Sequence, residues 1–233
     1  ELTTEQVKRI CDPDERAQAG INVDEEQLVN NPYLITELDL GSATSEPVSL
    51  DIVDRGMMPE GNAALFIKRD SIFPQDDNRR VRAVAVASLK EAADLGDTIF
   101  TIPDLLERIR KRFPDTRACR PDREIFLAEA DFHCERLWMA LENDPPLVAL
   151  QYLRELEQAL VKTIQRRAVR TNPSSDSPID WYAALIEKFG SPKNEREATA
   201  LSEKVKALET LFSRRISVLT GGAGTGKTSV LKV

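Results

Sequence analysis

Histidine occurs once in this chain, as His133, and cysteine three times, as Cys11, Cys119 and Cys134. The cysteines lie far apart and form no C-x-x-C pair, which argues against zinc and against a disulfide framework. A reducing cytoplasm is the expected setting. His133, beside Cys134 and four residues after Glu129, supplies half of a metal site and no second half, so it reads as a packed or solvated helical residue. Glycine and aromatics are scarce, at ten residues and 6%. Apolar runs extend over only a few residues, which leaves no segment long enough to cross a membrane as a helix. No charged-then-apolar signal segment opens the sequence.

What is present is the composition of a globular protein rich in helix formers, with 41% hydrophobic and 30% charged residues. The net charge of -7 is unevenly spread. Residues 1–60 carry 14 acidic and 4 basic side chains, a balance of -10, which leaves +3 for the remainder. Such an acidic opening is a poor surface for nucleic acid, so DNA contacts belong later in the chain. Two basic clusters stand out: Arg108, Arg110, Lys111, Arg112, Arg117, Arg120 and Arg123, then Lys162, Arg166, Arg167 and Arg170. Neither has interleaved aromatics, so neither is a single-strand stacking platform. They read as solvated helix faces or as a groove that tracks phosphates.

Helical periodicity dominates the chain. Asp77 to Leu95 forms one helix, with Asp76 or Asp77 as cap and Gly96 as stop. Thr101 caps another, with an early proline, that ends at Phe113-Pro114. Residues 122–142 read as a helix carrying Phe126, Leu137 and Trp138, with Trp138 and Trp181 as core anchors. Leu147 to Val169 is a long amphipathic run whose first four residues have the alternative of a short strand. Thr171 to Pro178 is the most linker-like piece, and helices near 179–189 and 194–213 follow.

The sequence closes on "ISVLTGGAGTGKTSVLKV". Gly221, Gly226, Lys227 and Thr228 satisfy G-x-x-x-x-G-K-[ST], the P-loop signature. Ile216, Val218 and Leu219 suit a buried parallel strand ahead of it, and Thr228 onward suits a helix after it. The backbone of Gly221, Gly222, Ala223, Gly224, Thr225, Gly226, Lys227, Thr228 and Ser229 is expected to cradle the phosphates of ATP. Lys227 is expected to reach the β and γ phosphates, with the Thr228 hydroxyl on Mg²⁺.

The tighter form G-x-x-G-x-G-K-T is shared by ring-forming AAA ATPases and superfamily-one helicases. "SVLTGGAGTGKTSVL", behind a helix containing "LSEKVKALETLF", resembles the opening of the first motor domain of RecD-type DNA helicases. "NNPYLITELD" with "SLDIVDRGMMP" is similar to the start of their N-terminal region, where a helix-hairpin-helix element follows. "RRVRAVAVASLKEAADLGDTIFTIPDLLERI" resembles the next segment. Two departures accompany the resemblance. The hairpin "GSATSEPVS" has one glycine and an internal proline, unlike a phosphate-gripping turn. Lys204 stands where the family places the glutamine that reads adenine.

The expected architecture is therefore mainly α: a helical N-terminal region followed by the first strand and P-loop of a truncated RecA-like α/β ATPase domain. Its parts are an acidic segment over 1–60 with a degraded helix-hairpin-helix, a helical domain over 61–170, a linker over 171–178, and the start of the motor over 179–233. Residue 1 is glutamate and Val233 falls in the first turns of the P-loop helix, so the expectation is an ATPase that continues beyond Val233. The resemblance implies an ATP-dependent DNA helicase or translocase, inactive in this piece alone because Walker B, water-positioning and arginine-finger residues are missing. The alternative is a protein-docking module of an AAA-type or other P-loop ATPase without DNA contact of its own.

Overall fold

A computed structural model describes residues 1–59, 73–113, 117–169, 179–224 and 226–232. The expected linker over 171–178, Arg170 and Thr225 lie outside these residues. The described chain is mainly helical with one small antiparallel sheet, and it divides into two compact units, Glu1–Glu155 and Leu156–Val233.

The first unit opens with short helices whose ends are written in the sequence. Thr3 and Gln6 form a reciprocal capping box on α1 (Thr4–Cys11), and Asp24 with Gln27 does the same on α3 (Glu25–Asn30). Between them Asp12 caps α2 (Pro13–Gln18), with proline in the first turn. Ala19, Ile21, Leu28 and Leu34 make a small core beneath these helices. A hairpin then joins α4 (Leu34–Leu38) to α5 (Leu50–Met57). Gly41 turns it at φ +74°, where a Cβ would also lie 2.9 Å from the ring of Pro47 and from the Ser45 carbonyl.

Helix α6 (Asn78–Asp94) is the centre of this unit, with ten buried residues between Arg80 and Ala92. Asp77 caps it and Gly96 follows its end at φ +100°. Its apolar side chains join Tyr33, Leu50, Leu105, Leu106, Ile109, Phe126 and Leu137 in the main core. Two arginines are buried with them. Arg80 pairs with Asp54 of α5 at 2.7 Å, and Arg82 pairs with Glu37 of α4 at 3.0 Å. Both helices of the hairpin element are thus held to α6 by ion pairs closed off from water. Asp54 also accepts hydrogen bonds from the Tyr33 hydroxyl and from Arg117.

The sheet has the order β1 (Ile99–Thr101), β3 (Leu147–Leu150), β2 (Leu137–Ala140), antiparallel throughout. Thr101 ends β1 and caps α7 (Ile102–Arg112), accepting from the Asp104 amide. The helix expected over 122–142 is corrected here: it is α8 (Arg123–Ala128), a single turn α9 (Ala130–His133), and then β2. Leu137-Trp-Met-Ala is short enough for its state to be set by a partner, and Leu147-Val-Ala-Leu supplies one, with Trp138 opposite Ala149. The strand alternative at 147–150 holds, and α10 (Gln151–Ala168) begins directly after it.

The second unit contains α11 (Trp181–Phe189), α12 (Glu195–Ser213) and α13 (Lys227–Val230). Asp180 and Asn194 cap the first two. Leu185, Leu201, Leu208 and Val230 form its core, with Trp181, Ile186 and Val205 against it. Residues 217–222 carry no strand or helix, so no parallel sheet stands among the described residues, in contrast to the strand expected at 216. A strand needs a neighbour to supply its ladder, and these residues have none here.

Candidate nucleotide site

The loop from Gly221 to Gly226 is positioned by the helix that follows it. Val230, three residues after Lys227, is buried against Leu185, Leu201 and Leu208 of the α11–α12 pair. That contact fixes α13 on the unit and leaves the loop at the surface, with Gly221 to Gly224 exposed. Gly224 and Gly226 both adopt φ +76°. A Cβ at either would meet nothing within 4 Å, so backbone conformation, not space, requires glycine there. Gly226 is the residue before α13, and the first amides of that helix lack intrahelical acceptors.

Lys227 is half-buried, and its Nζ donates to the carbonyls of Gly221 and Gly222 at 2.7 Å each. The ammonium thus lies across the loop. Thr228 and Ser229 are exposed on the first turn of α13. Ahead of the loop, Val218 is 81% exposed, and Ser217 to Leu219 border an apolar groove of about 460 Å³ against Ala207, Thr210 and Leu211 of α12.

Lys204 lies on α12, with its ammonium 5.1 Å from the ring centroid of Phe189. Both side chains line a concavity of about 320 Å³ with Pro192, Glu197 and Leu201. Leu201, which lines this concavity, belongs to the same core cluster as Val230 of α13. The sequence reading missed Phe189 and Pro192. The signal was the helix end "FGSP", an aromatic followed by two chain-turning residues.

The other candidates are placed differently. His133 is fully buried, stacked on Phe126 at 4.3 Å, with no hydrogen bond to either ring nitrogen. Burial, assisted by Arg82, pushes its pKa down to about 4, so it is neutral at physiological pH. Cys119 is buried, which pushes its thiol up to about 11 and makes it a packing residue. Among the described residues no group of three or more His, Cys, Asp or Glu side chains is arranged to hold a metal. Trp138 is half-buried on β2 beneath the Arg154 guanidinium, and Trp181 stands edge-on to Phe212.

The first basic cluster does not converge on one groove. Arg112 donates twice to Glu91, Lys111 pairs with Glu107, Arg117 reaches the buried Asp54, and Arg110 donates to the Pro121 carbonyl. Lys162, Arg166 and Arg167 are exposed on α10. The hairpin between α4 and α5 is also committed internally. Asp39 accepts from the amides of Gly41 at 2.9 Å and Val48 at 2.7 Å, and it is paired with Arg9 of α1 through two hydrogen bonds. The donors that would meet a phosphate there already hold a carboxylate.

No helix among the described residues is long and apolar enough to cross a membrane. The chain matches no family model and no solved structure. It is 27% identical over 228 residues to the uncharacterized protein MJ1519 of Methanocaldococcus jannaschii, an alignment that covers 91% of this chain and 19% of that protein. The chain therefore spans about a fifth of the length of the curated relative it resembles.

Proposed function

We propose that this chain binds the phosphates of a nucleoside triphosphate at Gly221–Ser229 and belongs to an ATP-dependent DNA helicase or translocase of the RecD type. One observation carries the reading: G-G-A-G-T-G-K-T, with two left-handed glycines, ends at the first turn of a helix anchored by Val230. Left-handed glycines allow the amide donors of such a loop to turn toward one point, and the helix start adds amides without intrahelical acceptors.

The residues fit the group they would hold. Lys227 bonds to loop carbonyls and makes no ion pair with a carboxylate among the described residues, so its charge is available to a phosphate. The exposed Thr228 hydroxyl sits one residue on, where it would reach a magnesium ion carried in with the nucleotide. Bound MgATP supplies the phosphoryl group and the counter-charge for its transfer. The loop residues bind and orient the phosphates, while activation of water is assigned to the whole protein. In this reading Ile216 to Leu219, which carry no strand here, would take up the first strand of a parallel sheet when neighbouring strands are present.

Phe189, Pro192 and Lys204 are assigned to the base. The experiment is titration of the chain with a fluorescent ATP analogue and magnesium. Binding is expected, with loss of about a hundredfold in Lys227→Ala, because a charge-assisted contact to phosphate is removed. Equal affinity in the two proteins would refute the assignment.

A further inference from the structure

Arg16 is a buried charge of the first unit with an unfilled donor. Its side chain is 5% exposed, yet its guanidinium makes no hydrogen bond to any described residue, and the nearest carboxylate, Glu25, is 3.8 Å away and itself mostly exposed. Its Nη1 is buried without an acceptor, and an unfilled buried donor is costly. Arg16 lines an open groove of about 650 Å³ between α2 and α3. Pro13, Ala17, Ile21 and Val23 give the groove an apolar floor, and Asp24, Glu25 and Glu26 give it an acidic rim.

We propose that this groove docks a short extended segment of a protein partner, basic and apolar by turns, whose main-chain carbonyl accepts from Arg16. The combination of features selects that chemistry. An anionic group would satisfy Arg16 but would be repelled by three rim carboxylates and by the -10 balance of residues 1–60. A neutral carbonyl satisfies the guanidinium without that repulsion. Apolar side chains of an extended peptide fall on the Ile21 and Val23 side while alternate lysines or arginines face Glu25 and Glu26. This docking is independent of the nucleotide reading, since it uses none of the loop residues.

The test uses the full chain and a fluorescein-labelled Lys-Val-Lys-Leu-Lys-Val-Lys peptide, followed by polarisation at low and high salt. An analogue with glutamate for lysine and an oligothymidylate serve as competitors. The basic peptide is expected to bind, more weakly at high salt, and Glu25→Gln with Glu26→Gln should weaken it about tenfold. Ala17→Arg, an exposed change that fills the groove, should weaken it at least as much without disturbing the buried residues. Absence of binding overturns the proposal. So does binding indifferent to both variants, or stronger displacement by the acidic peptide or the oligonucleotide than by unlabelled basic peptide.

Discussion

Replacing His133 by phenylalanine should remove a pH dependence that can be worked out from its surroundings. The imidazole is buried against Phe126 with unbonded nitrogens, and its pKa falls from 6.5 to about 4. Above pH 6.5 the ring is neutral in both folded and unfolded chains and contributes nothing to the pH dependence. As the pH drops below 6.5 the unfolded chain takes up a proton that the folded chain refuses, so stability is lost. The loss is complete below pH 4, where both states are protonated, and amounts to about 3 kcal/mol. Glu37 acts in the opposite sense, because burial raises its pKa and the folded state gains a proton first. The difference between wild type and His133→Phe therefore isolates the histidine. Urea unfolding from pH 7.5 to 4, in a Trp181→Phe background so that Trp138 reports the first unit, should show the wild type losing about 3 kcal/mol relative to the variant. Because His133 is the only histidine, its ring signals in NMR give the folded pKa directly. Titration near 6.5 would refute the reasoning.

Asp54→Ala should destabilise the first unit by about 3 to 5 kcal/mol in urea unfolding, because it leaves Arg80 buried without its carboxylate; a loss under about 1 kcal/mol would mean that the pair is open to water. Lys204 donates and cannot accept, so the proposed base site should discriminate poorly between ATP and GTP, and Lys204→Gln should favour ATP by roughly tenfold to a hundredfold in competitive binding. A wild-type preference for ATP above about a hundredfold would show that other groups read the base. Replacing Arg108, Arg110, Lys111 and Arg112 by glutamine should leave the salt dependence of any oligonucleotide binding unchanged, since Lys111 and Arg112 already face carboxylates. A flatter salt slope would place phosphates on that cluster.

The helices most legible in the sequence are those with strong local signals. Asp77, Thr101, Asp180 and Asn194 each cap the helix that follows them, and the apolar period between the caps does the rest. The left-handed conformations of Gly224 and Gly226 were legible for the same reason, since glycine at that spacing states a positive φ locally. What depends on distant partners was not. Leu137 to Ala140 has a helix-compatible pattern and becomes a strand only because β3 lies beside it. Nothing local signals the burial of Arg80 and Arg82, since Asp54 and Glu37 are 26 and 45 positions away. The groove at Arg16 was equally silent, because an unfilled donor appears only once the fold is built.

The two arginines of α6 bear on how the helix is set in rotation. Its apolar residues occupy most of its circumference, so hydrophobic matching alone is satisfied by several rotational settings. Residues two apart on a helix point about 200° from one another, which sends Arg80 and Arg82 to nearly opposite sides. Only one setting delivers each guanidinium to a carboxylate. Turning α6 by a single residue, about 100°, would strand both charges in the core at several kcal/mol each. The ion pairs act as a keyed fitting: the setting of α6 that is observed is the one that brings both guanidinium groups to their carboxylates.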